Sequence, residues 1–119
     1  MADAPHQIAT LDWATFEQVE MRVGTIVSAV VFEKARKPAY QLEIDFGPSI
    51  GLRKSSAQIT QLYDAQALIG TQVIAVVNFP PKQIANFMSE CLVLGAVDEA
   101  GKVILLQPER STANGVRIG

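Results

Sequence analysis

Between Asn78 and Glu90 the chain concentrates more chemical variety than anywhere else. Asn78, Lys82, Asn86 and Glu90 supply amide, ammonium and carboxylate groups, and Phe79, Ile84, Phe87 and Met88 supply apolar ones. Pro80 and Pro81 stand among them. Each proline fixes φ and removes a backbone donor, so the chain leaves any strand there in a set conformation. A stiff loop of this make-up suits recognition of another molecule. Asn78, Phe79, Pro81, Ile84, Phe87 and Met88 are the candidate contacts for a peptide, with Met adapting readily to varied partners. The alternative for Phe87 and Met88 is that they plug the end of the fold.

Bond-making chemistry has no comparable support. His6 is the only histidine and falls in an N-terminal stretch, residues 1–10, that reads as a flexible tail. No Cys/His cluster or histidine base is therefore available. Cys91 sits in an apolar run and reads as an inert buried thiol. Glu90 follows Ser89 but has no second carboxylate placed with it, and no glycine-rich phosphate loop is present. The expectation is a protein without catalytic residues, metal or cofactor.

The cations form a second constellation. Lys34, Arg36 and Lys37 follow the first strand, Arg53 and Lys54 lie on the third, and Lys82 follows the fourth. These six can converge on one rim as a basic patch for RNA, or they are solvated side chains balancing Glu33 and Asp45. Arg22 lies mid-strand, opposite an apolar row, where it either lines an outer binding face or pairs with a carboxylate.

The elements that must position these groups read mostly with a period of two. Leu11–Glu17 reads as a short helix with Asp12 as N-cap and Leu11 able to pack on Phe16. Trp13 and Phe16 are expected to pack that helix on the rest of the fold or on a second subunit. From Val19 to Val31 the odd positions are mainly apolar, which predicts a long strand, with Gly24 marking a bulge or bend. Tyr40, Leu42, Ile44 and Phe46 alternate with Gln41, Glu43 and Asp45 before Gly47-Pro48 ends the next strand. A third strand covers about Ile50–Ser56. Gln58–Ile69 reads as a short helix closed by Gly70. Strands near Val73–Val77, Glu90–Val97 and Val103–Gln107 complete the set, with Asp98–Gly101 as a hairpin turn. Short strands with one helix before the fourth match an all-β, OB-type five-stranded barrel, extended by a C-terminal strand segment at Asn114–Gly119. A plain β-sandwich accommodates the helical insert less naturally.

Composition bounds the possible partners. The 119 residues form one domain, able to bury roughly two-thirds of the unfolded-chain surface. Ten basic against twelve acidic side chains leave a net charge of −2, so no global field draws in polyanions. Hydrophobic residues make up 49 % of the chain, at the upper end for a soluble domain, which points to apolar surface covered by a partner. Val73–Val77, Cys91–Leu94 and Val103–Leu106 are apolar on both strand faces, and a symmetric second copy would cover what one small core cannot. No apolar run reaches the ~20 residues of a membrane span. No signal-peptide pattern opens the chain, and a single cysteine forms no internal disulfide, so a cytoplasmic setting is expected.

Several blocks together carry a family resemblance. Met21-Arg22-Val23-Gly24-Thr25-Ile26, Ile44-Asp45-Phe46-Gly47, Asn78-Phe79-Pro80-Pro81-Lys82 and Ser89-Glu90 resemble the signature of the tRNA-binding domain superfamily, found on methionyl-tRNA synthetases and in EMAP-type cytokine precursors. The chain length, Lys54–Thr60, Val76–Pro81, Leu105–Pro108 and Asn114-Gly115 are similar to the CsaA type in particular. The resemblance spans about residues 16–119. It implies a homodimeric OB-fold chaperone for unfolded or pre-secretory polypeptides in protein export, with the export machinery as a further partner. The alternative is a module for tRNA or structured RNA. In the tRNA-binding members a run rich in lysine and arginine follows the asparagine, whereas here Pro80–Asn86 holds only Lys82. Phosphate contacts dominate RNA affinity, so this thinning favours the polypeptide alternative.

Overall fold

Side chains that alternate between apolar and polar need a sheet with one dry face. The computed structural model, which describes residues 7–119, supplies it as a nearly closed barrel. Helix α1 (Trp13–Glu17) leads into strands β1 (Met21–Val31), β2 (Tyr40–Asp45) and β3 (Leu52–Ala57). Helix α2 (Ala65–Leu68) precedes β4 (Gln72–Val76). The remaining strands are short: β5 (Lys82–Ile84), β6 (Phe87–Ser89), β7 (Leu92–Val93), β8 (Gly95–Val97) and β9 (Val103–Leu105). Five strands form the main antiparallel sheet in the order β3-β2-β1-β4-β7. The barrel closes where the Glu90 N–H donates to the Lys54 carbonyl at 2.7 Å and the Ser55 hydroxyl donates to the Cys91 carbonyl at 2.9 Å. This is the all-β, OB-type architecture expected, with both helices in place. Residues 1–6 of the expected N-terminal tail, His6 among them, lie outside the described residues.

β2 follows its alternation residue by residue: Tyr40, Leu42 and Ile44 are buried, and the intervening side chains are half-buried. β1 does not keep one phase. Its register against β2 slips between Ile26 and Ser28, so Val27 is the extra residue of a bulge. Of the odd positions Val23 and Ala29 are buried, Ile26 joins them across the bulge, and Val27 and Val31 face solvent. Gly24, expected at the bulge, has another reason to be glycine. A Cβ there would lie 2.6 Å from Ile44 Cγ2 and 2.7 Å from the Phe46 ring. The core gathers Ile26, Leu42, Ile44, Phe46, Leu68 and Val73.

The insert between β3 and β4 is helical for only one turn. Ile59 is buried and the Tyr63 carbonyl accepts the Tyr40 hydroxyl at 2.6 Å, contacts that hold residues 58–64 out of a helix. The expected strand from Glu90 to Val97 is broken into β7 and β8 by a change of partner. β7 pairs with β4, and β8 pairs with β9 around the Asp98–Gly101 turn. The C-terminal segment runs beside the first half of β1. Gly115 N–H donates to the Val23 carbonyl, Val23 N–H to Val116, and Ile118 N–H to Met21.

Asp12 caps α1 as expected, accepting the Thr15 N–H at 2.7 Å, a bond that holds its carboxyl below the usual carboxylate range. The packing expectation for this helix fails on the barrel side. Trp13 is 83 % exposed and no residue of α1 is buried. The helix is tied down by its backbone instead, where Arg117 donates to the Glu17 carbonyl at 2.8 Å.

Candidate functional site

The loop after β4 folds back as a hairpin that periodicity did not reveal. Lys82 pairs with Ser89, Gln83 with Met88 and Ile84 with Phe87. Between the strands stands Ala85, at φ +52 the one non-glycine residue with positive φ among those described. Paired residues share a face in an antiparallel ladder, so Phe87 and Ser89 face one way and Met88 the other.

That division separates the two residues the sequence grouped. Phe87 turns to the barrel: its ring meets Phe32 at 5.4 Å between centroids, and Lys54 Nζ lies 5.4 Å from its centre. Ser89 Oγ accepts the Ser56 N–H at 3.1 Å, fixing the hairpin root. Phe87 therefore seats the hairpin, and Met88 faces outward beside Gln83, 39 % exposed. Asn78 is likewise engaged: its Oδ1 accepts the Glu20 N–H at 3.1 Å and its Nδ2 donates to the Gln18 carbonyl at 2.7 Å. It fastens the end of β4 to the start of β1.

The exposed apolar surface lies at the root of the loop. Phe79 is 55 % exposed and Leu92 49 % exposed. Together with Pro80 and Cys91 they wall a hollow of about 300 Å³, with Lys82 and Glu90 at its edge. Leu92 was not singled out by sequence. The available signal was the run Cys91–Leu94, apolar on both strand faces, of which Leu92 takes the exposed face. Burial pushes the Cys91 thiol up to about 12, against weaker opposing effects of the Ser55 hydrogen bond and the Arg53 charge. A thiol of that kind stays protonated and unreactive.

The cations divide as well. Lys34, Arg36, Lys37 and Lys82 line one groove of about 890 Å³, together with Ile84 and Ala85, and no carboxylate lines it. Lys54 is held above Phe87. Arg53 donates to the Val77 carbonyl at 3.3 Å, where the proline loop begins. Arg22 is not brought to the groove. Its guanidinium pairs with Glu20 at 2.9 Å and donates to the Gly115 carbonyl at 3.0 Å, joining β1 to the C-terminal segment. Pro81 is exposed next to Lys82 and lines neither the hollow nor the groove. Among the described residues no three His, Cys, Asp or Glu side chains gather as metal ligands, and no helix is long and apolar enough to cross a membrane.

Comparison with known proteins places this geometry. The family described as "Putative tRNA binding domain" matches residues 21–117. The chaperone CsaA from Bacillus anthracis str. Ames superposes with a TM-score of 0.89 at 51 % identity, over 93 % of this chain and 100 % of that one. The CsaA chaperone protein from Picrophilus torridus gives 0.86 at 49 % identity, over 92 % and 100 %. The methionine–tRNA ligase of Methanococcoides burtonii is 36 % identical over 103 residues, 87 % of this chain and 15 % of that enzyme. The chain thus spans only a small part of the length of the curated relatives it matches.

Proposed function

This chain belongs to the tRNA-binding domain family, in its CsaA type, and on that footing we propose that it is a non-enzymatic chaperone binding unfolded or pre-secretory polypeptides. The observation that carries the reading is the hollow walled by Phe79, Pro80 and Leu92. It leaves large apolar side chains in water beside a loop stiffened by two prolines. Exposed apolar surface of this kind marks interaction sites. The chaperone role named for the two similar structures agrees with it. A role in protein export, with contact to the export machinery, and a cytoplasmic setting complete the proposal. Its test is suppression of aggregation of a chemically unfolded reporter enzyme. Protection that persists at high salt is expected, because apolar burial is not screened. Absence of protection at any ratio of chaperone to reporter would end this reading.

A second reading, tRNA binding, is favoured by the groove of Lys34, Arg36, Lys37 and Lys82. Phosphate contacts make RNA affinity fall with salt, by somewhat under one unit of log K per contact for each unit of log salt. Replacing Lys34, Arg36 and Lys37 with glutamine should then flatten the salt dependence of tRNA binding. Nanomolar, salt-sensitive tRNA binding abolished by this change, without affinity for unfolded chains, would make RNA the ligand.

Homodimerisation belongs to the same proposal. β4 is largely covered within one chain, but Val97, Ile104 and Leu106 remain exposed along β8–β9 and just beyond, and Trp13 on α1. A second copy is the economical cover for them.

A further inference from the structure

Lys82 borders two depressions at once. On one side is the apolar hollow of Phe79, Pro80 and Leu92; on the other is the groove lined by Lys34, Arg36 and Lys37. We propose that the two form one bipartite site, whose ligand is an extended polypeptide segment carrying an apolar side chain and, within a few residues, carboxylates. This rests on the polypeptide-binding reading above and adds to it the class of segment selected.

The charge balance of the site gives the reason. The groove holds four cations and no carboxylate lines it. Among the described residues the one carboxylate lining either depression is Glu90, at the edge of the hollow, and it is already engaged. Glu90 accepts the Lys54 N–H at 2.9 Å, and Glu33 precedes Lys34 without lining the groove. Four like charges beside a low-dielectric wall make a local positive potential that the net charge of −2 conceals. An apolar anchor alone leaves those cations repelling one another, and a polyanion alone leaves Phe79 and Leu92 in water. A chain with both features satisfies both halves.

Geometry sets the spacing. The groove runs from Lys82, at the edge of the hollow, to Ala85 at the hairpin tip. Three residues of strand advance about 10 Å, so an extended ligand covers the same distance with about three residues. Carboxylates roughly two to four positions from the apolar anchor would reach the groove. A cationic flank there would be repelled. The basic region that begins a signal peptide is therefore disfavoured at this site, and acidic–apolar stretches elsewhere in an unfolded chain are favoured.

The test uses fluorescein-labelled ten-residue peptides read by fluorescence anisotropy against the full-length protein. Each holds a central Leu-Phe pair, flanked on both sides by Glu, by Gln or by Lys. At low salt the Glu-flanked peptide should bind at least about tenfold tighter than the Lys-flanked one, with the Gln-flanked one between them. Replacing Lys34, Arg36, Lys37 and Lys82 with glutamine should bring the three within about twofold of one another. Replacing Leu-Phe with Gly-Gly in the Glu-flanked peptide should abolish binding. Circular dichroism melts of the quadruple variant matching the parent confirm that exposed charges alone were removed. Binding of the Lys- or Gln-flanked peptide as tight as the Glu-flanked one overturns the bipartite site and leaves the chaperone reading standing. Undiminished binding of the Gly-Gly peptide overturns it also. Failure of every peptide, with binding of an oligouridylate of the same length, overturns both and assigns the groove to RNA.

Discussion

Asn78 shows how a side chain in a recognition loop can be committed to the fold. Its amide spans Gln18 and Glu20, so Asn78→Ala should lower stability by about 1–2 kcal/mol, read from urea midpoints, with peptide affinity little changed. Phe87 and Met88 are adjacent and should behave oppositely. Phe87→Lys removes the contact with Phe32 and sets a second ammonium beside Lys54, so cooperative unfolding should shift by about 2–4 kcal/mol. Met88→Lys should stay within about 0.5 kcal/mol of the parent while weakening capture of unfolded chains. Equal destabilisation by both changes would return Met88 to the core. Cys91 makes a pH prediction. Its folded pKa, about 12, stands above its ordinary value of 9.0, so the native state keeps a proton that the unfolded chain releases. The stabilisation is complete below pH 9 and is lost as pH rises towards 12, at up to about 1.4 kcal/mol per pH unit. Denaturation midpoints of Cys91→Ala should therefore fall less steeply between pH 8 and pH 10 than those of the parent.

Among the elements, the C-terminal segment is the most demanding of its sequence. Gly115 sits at φ +91, and a Cβ there would come within 2.6 Å of the Phe46 carbonyl oxygen. Asn114 beside it accepts from the Thr25 hydroxyl at 2.7 Å and from Gln72 at 3.2 Å. Gly115→Ala should cost about 2–4 kcal/mol and free the Val23 amide, bonded to Val116, for hydrogen exchange. Unchanged protection of that amide would show that the segment adds nothing to β1. The elements also differ in how far they could be read from sequence. β2 was legible because it carries no extra residue itself and β3 holds one register along it. β1 was only partly so, since its bulge at Val27 is an outcome of pairing with β2. The β5–β6 hairpin was missed because Ala85-Asn86 carries no glycine to announce a turn.

At the scale of the molecule the open question is what covers the apolar surface. Trp13, Val97, Ile104 and Leu106 leave more exposed than one short helix could shield. Light scattering at micromolar concentration should return twice the mass of one chain, and Trp13→Lys should shift the population towards monomers. A monomeric mass for the parent would refute the dimer.

The sequence by itself determined the barrel, the Asp12 cap and the Asp98–Gly101 turn, because alternation, capping and turn chemistry act between near neighbours. For the cations it left two readings open, a shared basic rim or solvated side chains, and for Phe87 and Met88 a peptide contact or a plug. Only the tertiary structure decided which of them are available. Arg22 closes on Glu20 and Gly115, Asn78 closes on Gln18 and Glu20, and Phe87 closes on Phe32. Phe79, Leu92 and the four groove cations are left open to a ligand. The physical reason is that availability depends on partners distant in sequence. A hydrogen bond from Asn78 to a residue 60 positions away leaves no local pattern to read.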